Sequence, residues 1–189
     1  LARYEISKPL KSYHEHSKVS RIDEIVALLE QGKNLALVTD AGTPGISDPG
    51  SLLVSKIREA LPEVHIETIP GPSALTAALS IAGLPISDFV FLGFLPHKKG
   101  RETLFKEIAA SERAVVFYES PHRILKTLES LDLHLGAKLP SGKKVVIARE
   151  LTKIHEEVKS GTPKELLEYF AQNPEKVRGE FVVIVAPTS

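Results

Sequence analysis

Apolar residues are arranged along the chain in two alternating patterns, one typical of strands and one typical of helices. Compact apolar runs have strand length, and between them apolar residues recur three and four positions apart, as on one side of a helix. The strand-like runs are residues 35–38, 64–69, 114–118, 145–148 and 181–186. This alternation predicts an α/β fold with mostly parallel sheets.

Capping residues mark where the helices are expected to begin and end. Ser20 is placed to cap a helix that stops before Gly32, and Asp48 with Pro49 is placed to start the next one. The other helices are predicted over 73–81, near 102–109, from 120–121 onward, and from a Thr-Pro-Lys-Glu capping box at 162–165 to residue 170, with a short hairpin strand at 156–159.

Residues 93–100, rich in Gly, Pro and Lys, interrupt this series and are interpreted as a linker. The prediction is therefore two α/β lobes, residues 1–94 and 95–189, with a cleft between them. A chain of 189 residues is long enough for two small domains with real cores.

Composition excludes several kinds of site and partner. There is no Cys, which rules out disulfides, thiolate nucleophiles and Cys-ligated zinc. No apolar run approaches the roughly 20 residues of a membrane helix, and the polar N-terminal residues lack a signal-peptide pattern. The formal net charge is zero, so a nucleic-acid partner has to be argued from local basic clusters. There is also no Met, so Leu1 is not expected to be a native N-terminus.

Two glycine- and proline-bearing turns carry the first chemical signal. Residues 39–50, TDAGTPGISDPG, leave a strand-like run and enter a helix, and residues 69–74, IPGPSA, do the same. Ligands of open parallel sheets bind beyond the carboxyl ends of the strands, and helix N-termini can hold anionic groups. The first turn lacks both the dinucleotide G-x-G-x-x-G pattern and the Gly-Lys-Ser/Thr of a phosphate loop. A shared ligand pocket and two simply rigid connections both remain open from the residues alone.

Two shorter clusters also have possible chemistry. Lys98, Lys99 and Arg101 form the sharpest basic cluster and are first candidates for phosphate contact, with Phe94 and His97 nearby able to stack on bases. The alternative is a solvated linker. His14, Glu15 and His16 resemble a metal pair in composition, but no further ligands follow at metal spacing, so no metal site is predicted.

The first turn resembles the cofactor loop of the tetrapyrrole methylase family. Within that family the chain is most similar to the methyltransferases that modify the ribose 2′-oxygen of a decoding-centre cytidine in 16S ribosomal RNA. The family itself begins with a strand and a P-x-P-I-G-N loop and later has an Asp-Thr-Arg segment; neither occurs here, so the first strand is expected to be missing. The supporting segments are the first turn at 39–50, IPGPSALTAALSIAGLP at 69–85, GFLPHKKGR at 93–101, FYESPHR at 117–123, RELTKIHEE at 149–157 and SYHEHS at 12–17.

The resemblance implies that S-adenosylmethionine is held in the cleft, largely by backbone groups. It also implies a cytoplasmic homodimer acting on 16S rRNA or the 30S subunit, with no membrane partner. For Asp40, an Asx-type bond that caps its own turn is an equal alternative to cofactor contact. The cofactor residues carried over are Asp40, Ala41, Gly42, Thr43, Ile46, Ser47, Ser73, Ala74, Tyr118 and Arg149.

A ribose hydroxyl is a weak nucleophile, so some group must accept its proton or stabilise its oxyanion. Glu119 or Glu150 are candidates to accept the proton. Arg123, Arg149 or Lys153 are candidates to hold a phosphate or an oxyanion, and His122 joins the candidate RNA contacts. An internal ion-pair network among these same residues is the competing interpretation. Two other functions also stay open: a methylase acting on a small tetrapyrrole, and a noncatalytic α/β module that has lost cofactor binding.

Overall fold

The structure is a computed structural model that describes residues 2–14, 19–135 and 143–187. The chain forms two compact units, residues 1–72 and residues 73–189. The predicted lobe boundary at 94/95 stays a prediction, but the strand that ends at Phe94 pairs within the sheet of the second unit. Within the described residues, no helix is both long and apolar enough to cross a membrane.

The first unit is built on two helices, α1 (Val19–Glu30) and α2 (Ser51–Ala60), after a 3₁₀ turn at Ala2–Tyr4. Ile22 from α1 packs with Leu53 and Ile57 from α2, and these three side chains are buried. Both helices are confirmed, but their predicted caps are wrong. Ser20 lies inside α1, and α2 is preceded by Gly50 with no side-chain cap, so Asp48 does not cap it.

The two strands predicted in the first unit do not form. Residues 35–38 and 64–69 pair with no strand in the described part of the chain. Leu35, Val38 and Ile69 are 47%, 65% and 79% exposed. A strand needs a neighbour to satisfy its peptide groups, and an apolar run alone does not supply one. The apolar residues of these two segments favour a strand, but the described residues provide no neighbouring strand with which they pair.

The second unit is a five-stranded sheet covered by helices. Its strands run in the spatial order β1-β2-β5-β3-β4. The elements, in chain order, are α3 (Ala74–Ile81), β1 (Phe89–Phe94), α4 (Arg101–Ala110), β2 (Ala114–Glu119), α5 (Ile124–Leu135), β3 (Val145–Arg149), β4 (Glu157–Gly161), α6 (Pro163–Gln172), a 3₁₀ turn at Pro174–Lys176, and β5 (Phe181–Val185).

The α/β class is confirmed, but the prediction of mostly parallel sheets is wrong for this sheet. Only β1 and β2 are parallel, while the other three pairings are antiparallel. Two connections explain this. β4 returns beside β3 after a short turn, as a hairpin must, and β5 inserts between β2 and β3 in the opposite direction to both.

Successive residues of the central strands supply the cores on the two faces of the sheet. Val115 and Phe117 pack with the apolar sides of α4, α5 and α6 on one face, whereas Val116 packs with α3 on the other. This alternation follows from the two-residue repeat of a strand. All six described helices start or end close to the predicted positions, and the Thr162–Glu165 capping box is present in full.

Candidate active site

The two glycine- and proline-bearing turns meet within the first unit. A Cβ built on Gly42 would lie 3.4 Å from the Pro72 carbonyl oxygen, and one on Gly71 would lie 3.7 Å from Thr43 Oγ1. Gly42 has φ +78°, a left-handed conformation that residues with side chains rarely adopt. The turns therefore lie backbone to backbone, and glycine at position 42 permits that approach.

Most cofactor candidates of the first turn are exposed to solvent. Asp40, Ala41 and Gly42 are exposed, as are Ile46 and Ser47, while Thr43 is half-buried. Ser47 also has a positive φ, of 57°. The Asp40 carboxylate makes no hydrogen bond to any described residue, so the Asx-type cap considered for it is not formed. Two touching turns with exposed residues fit a polar, flat ligand held by the backbone.

The second turn ends in a helix cap. Ser73 is the residue before α3, and its Oγ accepts a hydrogen bond from the Thr76 backbone N–H at 3.5 Å. Ala74 is the first residue of α3 and is exposed. Ser73 therefore has a structural role of its own beside the cofactor role implied by the family resemblance.

Glu119 is the centre of a buried charge network in the second unit. Its Oε1 lies 2.7 Å from Arg123 Nε and accepts from the Ser120 backbone N–H at 2.8 Å. Its Oε2 accepts from Thr127 Oγ1 at 2.7 Å and lies 3.5 Å from Arg101 Nη2. Both carboxylate oxygens are thus engaged by protein groups, and the side chain is fully buried. The internal network interpretation describes Glu119 better than the role of a proton acceptor.

Arg101 and Arg123 also fix the start of the loop that carries Lys98 and Lys99. Arg123 Nη1 donates to the Leu95 carbonyl at 2.8 Å, and Arg101 Nη1 donates to the Pro96 carbonyl at 3.2 Å. The Arg101 side chain is only 14% exposed. Lys98 and Lys99 are exposed, and so is His122. Arg101 therefore differs from the two lysines with which it was grouped, since its guanidinium contacts the protein interior.

The turn after β3 holds Glu150 and Lys153 in a tight arrangement. Glu150 and Thr152 have positive φ angles of 49° and 65°, which non-glycine residues adopt rarely and at functional sites more often than elsewhere. Glu150 Oε1 accepts from Lys153 Nζ at 3.0 Å and from the Glu180 N–H at 3.2 Å. A Cβ on Gly179 would lie 2.1 Å from Glu150 Oε1, so a side chain at position 179 would force this carboxylate to move.

These contacts set the protonation of the pair. The hydrogen bond from Lys153, helped by the Glu180 backbone, lowers the pKa of Glu150, and the hydrogen bonds to Glu150 and Glu180 raise the pKa of Lys153. A carboxylate with a lowered pKa is a weaker general base, and an ammonium with a raised pKa keeps its charge. Because Lys153 already pairs with two carboxylates, those of Glu150 and Glu180, the cluster is an internal ion-pair network and Glu150 is poorly suited to remove a proton.

Arg149 belongs to a third cluster, centred on Glu157. Arg149 Nε donates to Glu157 Oε2 at 3.0 Å, and Lys176 Nζ donates to Glu157 Oε1 at 2.8 Å. The Tyr169 hydroxyl also donates to Oε1. Sequence reasoning missed Glu157, Tyr169 and Lys176, because only the pairing of β3 with β4 and the return of α6 bring them together. Thr127 was missed because only the packing of α5 against the sheet brings it to Glu119.

The Glu157 cluster predicts an acid-sensitive component of stability. Burial by itself would raise the pKa of Glu157, but hydrogen bonds from Lys176, Tyr169 and Arg149 outweigh it and lower the pKa from 4.5 to about 2. A lowered folded-state pKa stabilises the protein above pH 4.5, and that contribution is lost as pH falls toward 2. Urea unfolding of Glu157→Gln should lack this part of the pH dependence, worth about 1–3 kcal/mol. The exposed Glu168→Gln on α6 is the control, and equal pH curves for wild type and Glu157→Gln would contradict the assignment.

Metal chemistry gains no support from the described residues. Among them, no group of three or more His, Asp or Glu side chains is placed to hold an ion. His14 is described, but Glu15 and His16 lie outside the described residues, so the structure says nothing of that cluster.

Known proteins match nearly the whole length of the chain. The family of Tetrapyrrole (Corrin/Porphyrin) Methylases matches residues 2–167. A relative from Synechocystis, named Ribosomal RNA small subunit methyltransferase I, is 44% identical over 98% of this chain and 64% of its own length. A relative of the same name from Thermotoga maritima is 42% identical over 98% of this chain and 80% of its own length. The chain thus spans less than two thirds of the Synechocystis relative.

Two solved structures share the fold. The methyltransferase CobJ superposes with a TM-score of 0.67 at 22% identity, covering 98% of this chain and 79% of that one. Uroporphyrin-III C-methyltransferase from Thermus thermophilus, complexed with S-adenosylhomocysteine, gives 0.54 at 16% identity, covering 87% and 72%. At these identities the likeness shows the fold alone.

Proposed function

The chain belongs to the tetrapyrrole methylase family, and from that membership we propose that it transfers a methyl group from S-adenosylmethionine to the ribose 2′-hydroxyl of a cytidine in 16S ribosomal RNA. The observation that carries the proposal is the contact between the turn at 39–50 and the turn at 69–74, through Gly42 and Pro72. The RNA substrate is supported by relatives of 39–44% identity, all named Ribosomal RNA small subunit methyltransferase I. We extend the proposal to a homodimer in the cytoplasm.

The touching turns fit the methyl donor for reasons of shape. Gly42 and Gly71 put no side chain between the two backbones, and residues 40–42 are exposed. Peptide N–H and C=O groups would hold the amino acid and nucleoside portions of S-adenosylmethionine, with the Asp40 carboxylate able to accept from hydroxyls or the amino group. When bound, this cofactor supplies a methyl group on a positively charged sulfur that is ready to leave.

The chain's own contribution to the reaction is mainly positioning. Aligning a hydroxyl oxygen with the methyl group can lower the barrier by up to about 7–11 kcal/mol in favourable cases. Lys153 pairs with both Glu150 and Glu180, so it shapes the turn after β3 and is not assigned to the RNA. Glu150 orients that lysine. Glu119 and Arg123 would contribute indirectly. They would fix the loop that carries Lys98 and Lys99 without contacting the reacting atoms.

The proposed phosphate contacts are the exposed Lys98 and Lys99. Replacing both with alanine should weaken RNA binding and reduce the slope of log affinity against log salt by roughly 0.7–0.9 per lost contact. Fluorescence anisotropy of a labelled RNA over a salt series measures this slope. Lys106→Ala, exposed on α4, is the matched control. An unchanged slope in the double variant would show that the loop is not a phosphate contact.

The proposed activity is tested by methyl transfer from radiolabelled S-adenosylmethionine. Purified protein is offered 30S subunits, free 16S rRNA and a uroporphyrinogen-type tetrapyrrole in parallel. We expect label in the ribosomal RNA, in nucleotides that resist alkaline cleavage because their 2′-oxygen is methylated. Label in the tetrapyrrole alone would replace the proposal with the small-molecule alternative, and no label with intact cofactor binding would contradict the RNA substrate.

A further inference from the structure

A β-bulge interrupts the edge strand β1 just before its last residue. In the pairing with β2, Phe91 lies opposite Val116 and Phe94 lies opposite Tyr118, so three steps along β1 match two along β2. The extra residue is accommodated where Gly93 has φ +62°, a left-handed conformation suited to glycine. Bulges at sheet edges commonly redirect a side chain.

This bulge moves Phe94 to the opposite face of the sheet. In a regular strand, residues 91 and 94 would point to opposite faces. Here both rings contact Tyr118, with centroid distances of 5.0 Å for Phe91 and 5.4 Å for Phe94. Leu92, whose face Phe94 would otherwise share, packs with the core on the other side of the sheet. Gly93 therefore creates a three-ring cluster at the end of β1.

Core packing does not account for the position of Phe94. Its side chain is 55% exposed, although the redirected ring leaves the face that carries the larger core cluster. Burial of aromatic surface normally drives such placements, and half of that gain is forgone here. An exposed aromatic ring backed by a second ring presents a flat apolar surface to solvent.

The surroundings of this surface are rigid on one side and basic on the other. Leu95, the next residue, is 2% exposed, and its carbonyl is held by Arg123 at 2.8 Å. The exposed Lys98 and Lys99 follow within the same loop. An aromatic platform beside cations is the combination by which proteins bind unpaired nucleotides, stacking the base and contacting the backbone.

We propose that Phe94, supported by Tyr118, is a stacking site for an unpaired base of the RNA substrate. This inference rests on the proposed function and adds to it that the bound RNA is single-stranded at the point of contact. The flat face of any base would fit, so the site contributes affinity and orientation rather than base identity.

The test compares Phe94→Ala, Phe94→Leu and Phe94→Trp for binding of a short single-stranded RNA. We expect alanine to weaken binding about 5- to 150-fold, the range for losing one stacked base. Leucine should lose nearly as much although it stays apolar, and tryptophan should retain or improve binding. The salt slope should stay unchanged in all three, unlike that of the lysine variants. Urea unfolding checks that each variant is folded.

An abasic nucleotide identifies the partner of the ring. Scanning it through the RNA should weaken wild-type binding at one position and have no further effect there in Phe94→Ala. Wild-type binding by Phe94→Leu, or equal abasic losses in Phe94→Ala, would overturn the stacking site. A loss of cofactor affinity with unchanged RNA affinity would also overturn it and assign the ring to the adenine of S-adenosylmethionine. If wild-type protein methylates 30S subunits and the Phe94 variants bind RNA as wild type does, only this inference is refuted. If wild-type protein neither binds nor methylates RNA, the proposed function is refuted as well.

Discussion

Replacing Glu119 with alanine is expected to lower the free energy of unfolding by about 3–5 kcal/mol, the usual cost of breaking a buried ion pair by removing one partner. The carboxylate is fully buried between Arg101 and Arg123, whose side chains are 14% and 16% exposed. Without it, Arg101 and Arg123 lose their buried counter-charge, and the Thr127 hydroxyl loses its acceptor. Urea unfolding followed by circular dichroism measures the change.

A surface ion pair of the same charge type is the control. Asp88 and Arg113 are 2.9 Å apart and both side chains are 64% exposed. Asp88→Ala should change stability by about 1 kcal/mol or less, because water screens such pairs. A Glu119→Ala loss as small as that of Asp88→Ala would show that the network does not hold the second unit together.

Replacing Gly42 with valine is expected to lower the affinity for S-adenosylmethionine roughly ten- to hundredfold. Valine strains the backbone at φ +78° and places its Cβ about as close to the Pro72 carbonyl as two atoms comfortably pack. Strain of about 1–3 kcal/mol would be relieved by moving the first turn away from the second. Isothermal titration calorimetry with S-adenosylmethionine measures the loss.

Gly32 offers a matched control for the strain itself. It has nearly the same φ, +74°, but a Cβ there would meet nothing within 4 Å. Gly32→Val should cost stability through the same backbone penalty and leave cofactor affinity unchanged. If a folded Gly42→Val protein binds the cofactor as wild type does, the pocket is not at the meeting point of the two turns.

Local sequence signals predicted the helices well because those signals act locally. The capping box at Thr162 and Glu165 forms as expected, and Ser73 caps α3. Asp48 failed as a cap although its residue type favours that role. α2 begins only after Gly50, whose φ of +148° turns the chain into the helix.

The strands were less predictable because a strand depends on partners distant in sequence. The run at 181–186 forms β5 in the middle of the sheet, whereas the equally apolar run at 35–38 pairs with nothing described. The direction of each strand could not be predicted from the sequence either. Nothing local to Phe181 indicates that β5 runs antiparallel between β2 and β3.

The candidate site was predictable in its turns and not in its charge clusters. The glycines and prolines at 42, 70, 71 and 72 signal close backbone approach, and the structure brings those residues together. The charged residues of the second unit were identified as a group, but their partners were not. Arg101 was expected to contact a phosphate of the RNA, yet its guanidinium lies beside Glu119, a contact that depends on how α4 and β2 pack.

A crystal structure with S-adenosylhomocysteine bound would test the central claim most directly. We expect the nucleoside and amino acid portions of the product to contact backbone atoms of residues 40–43 and 71–72. Clear density for the product at a site that involves neither turn would contradict the account, even in a protein that methylates RNA.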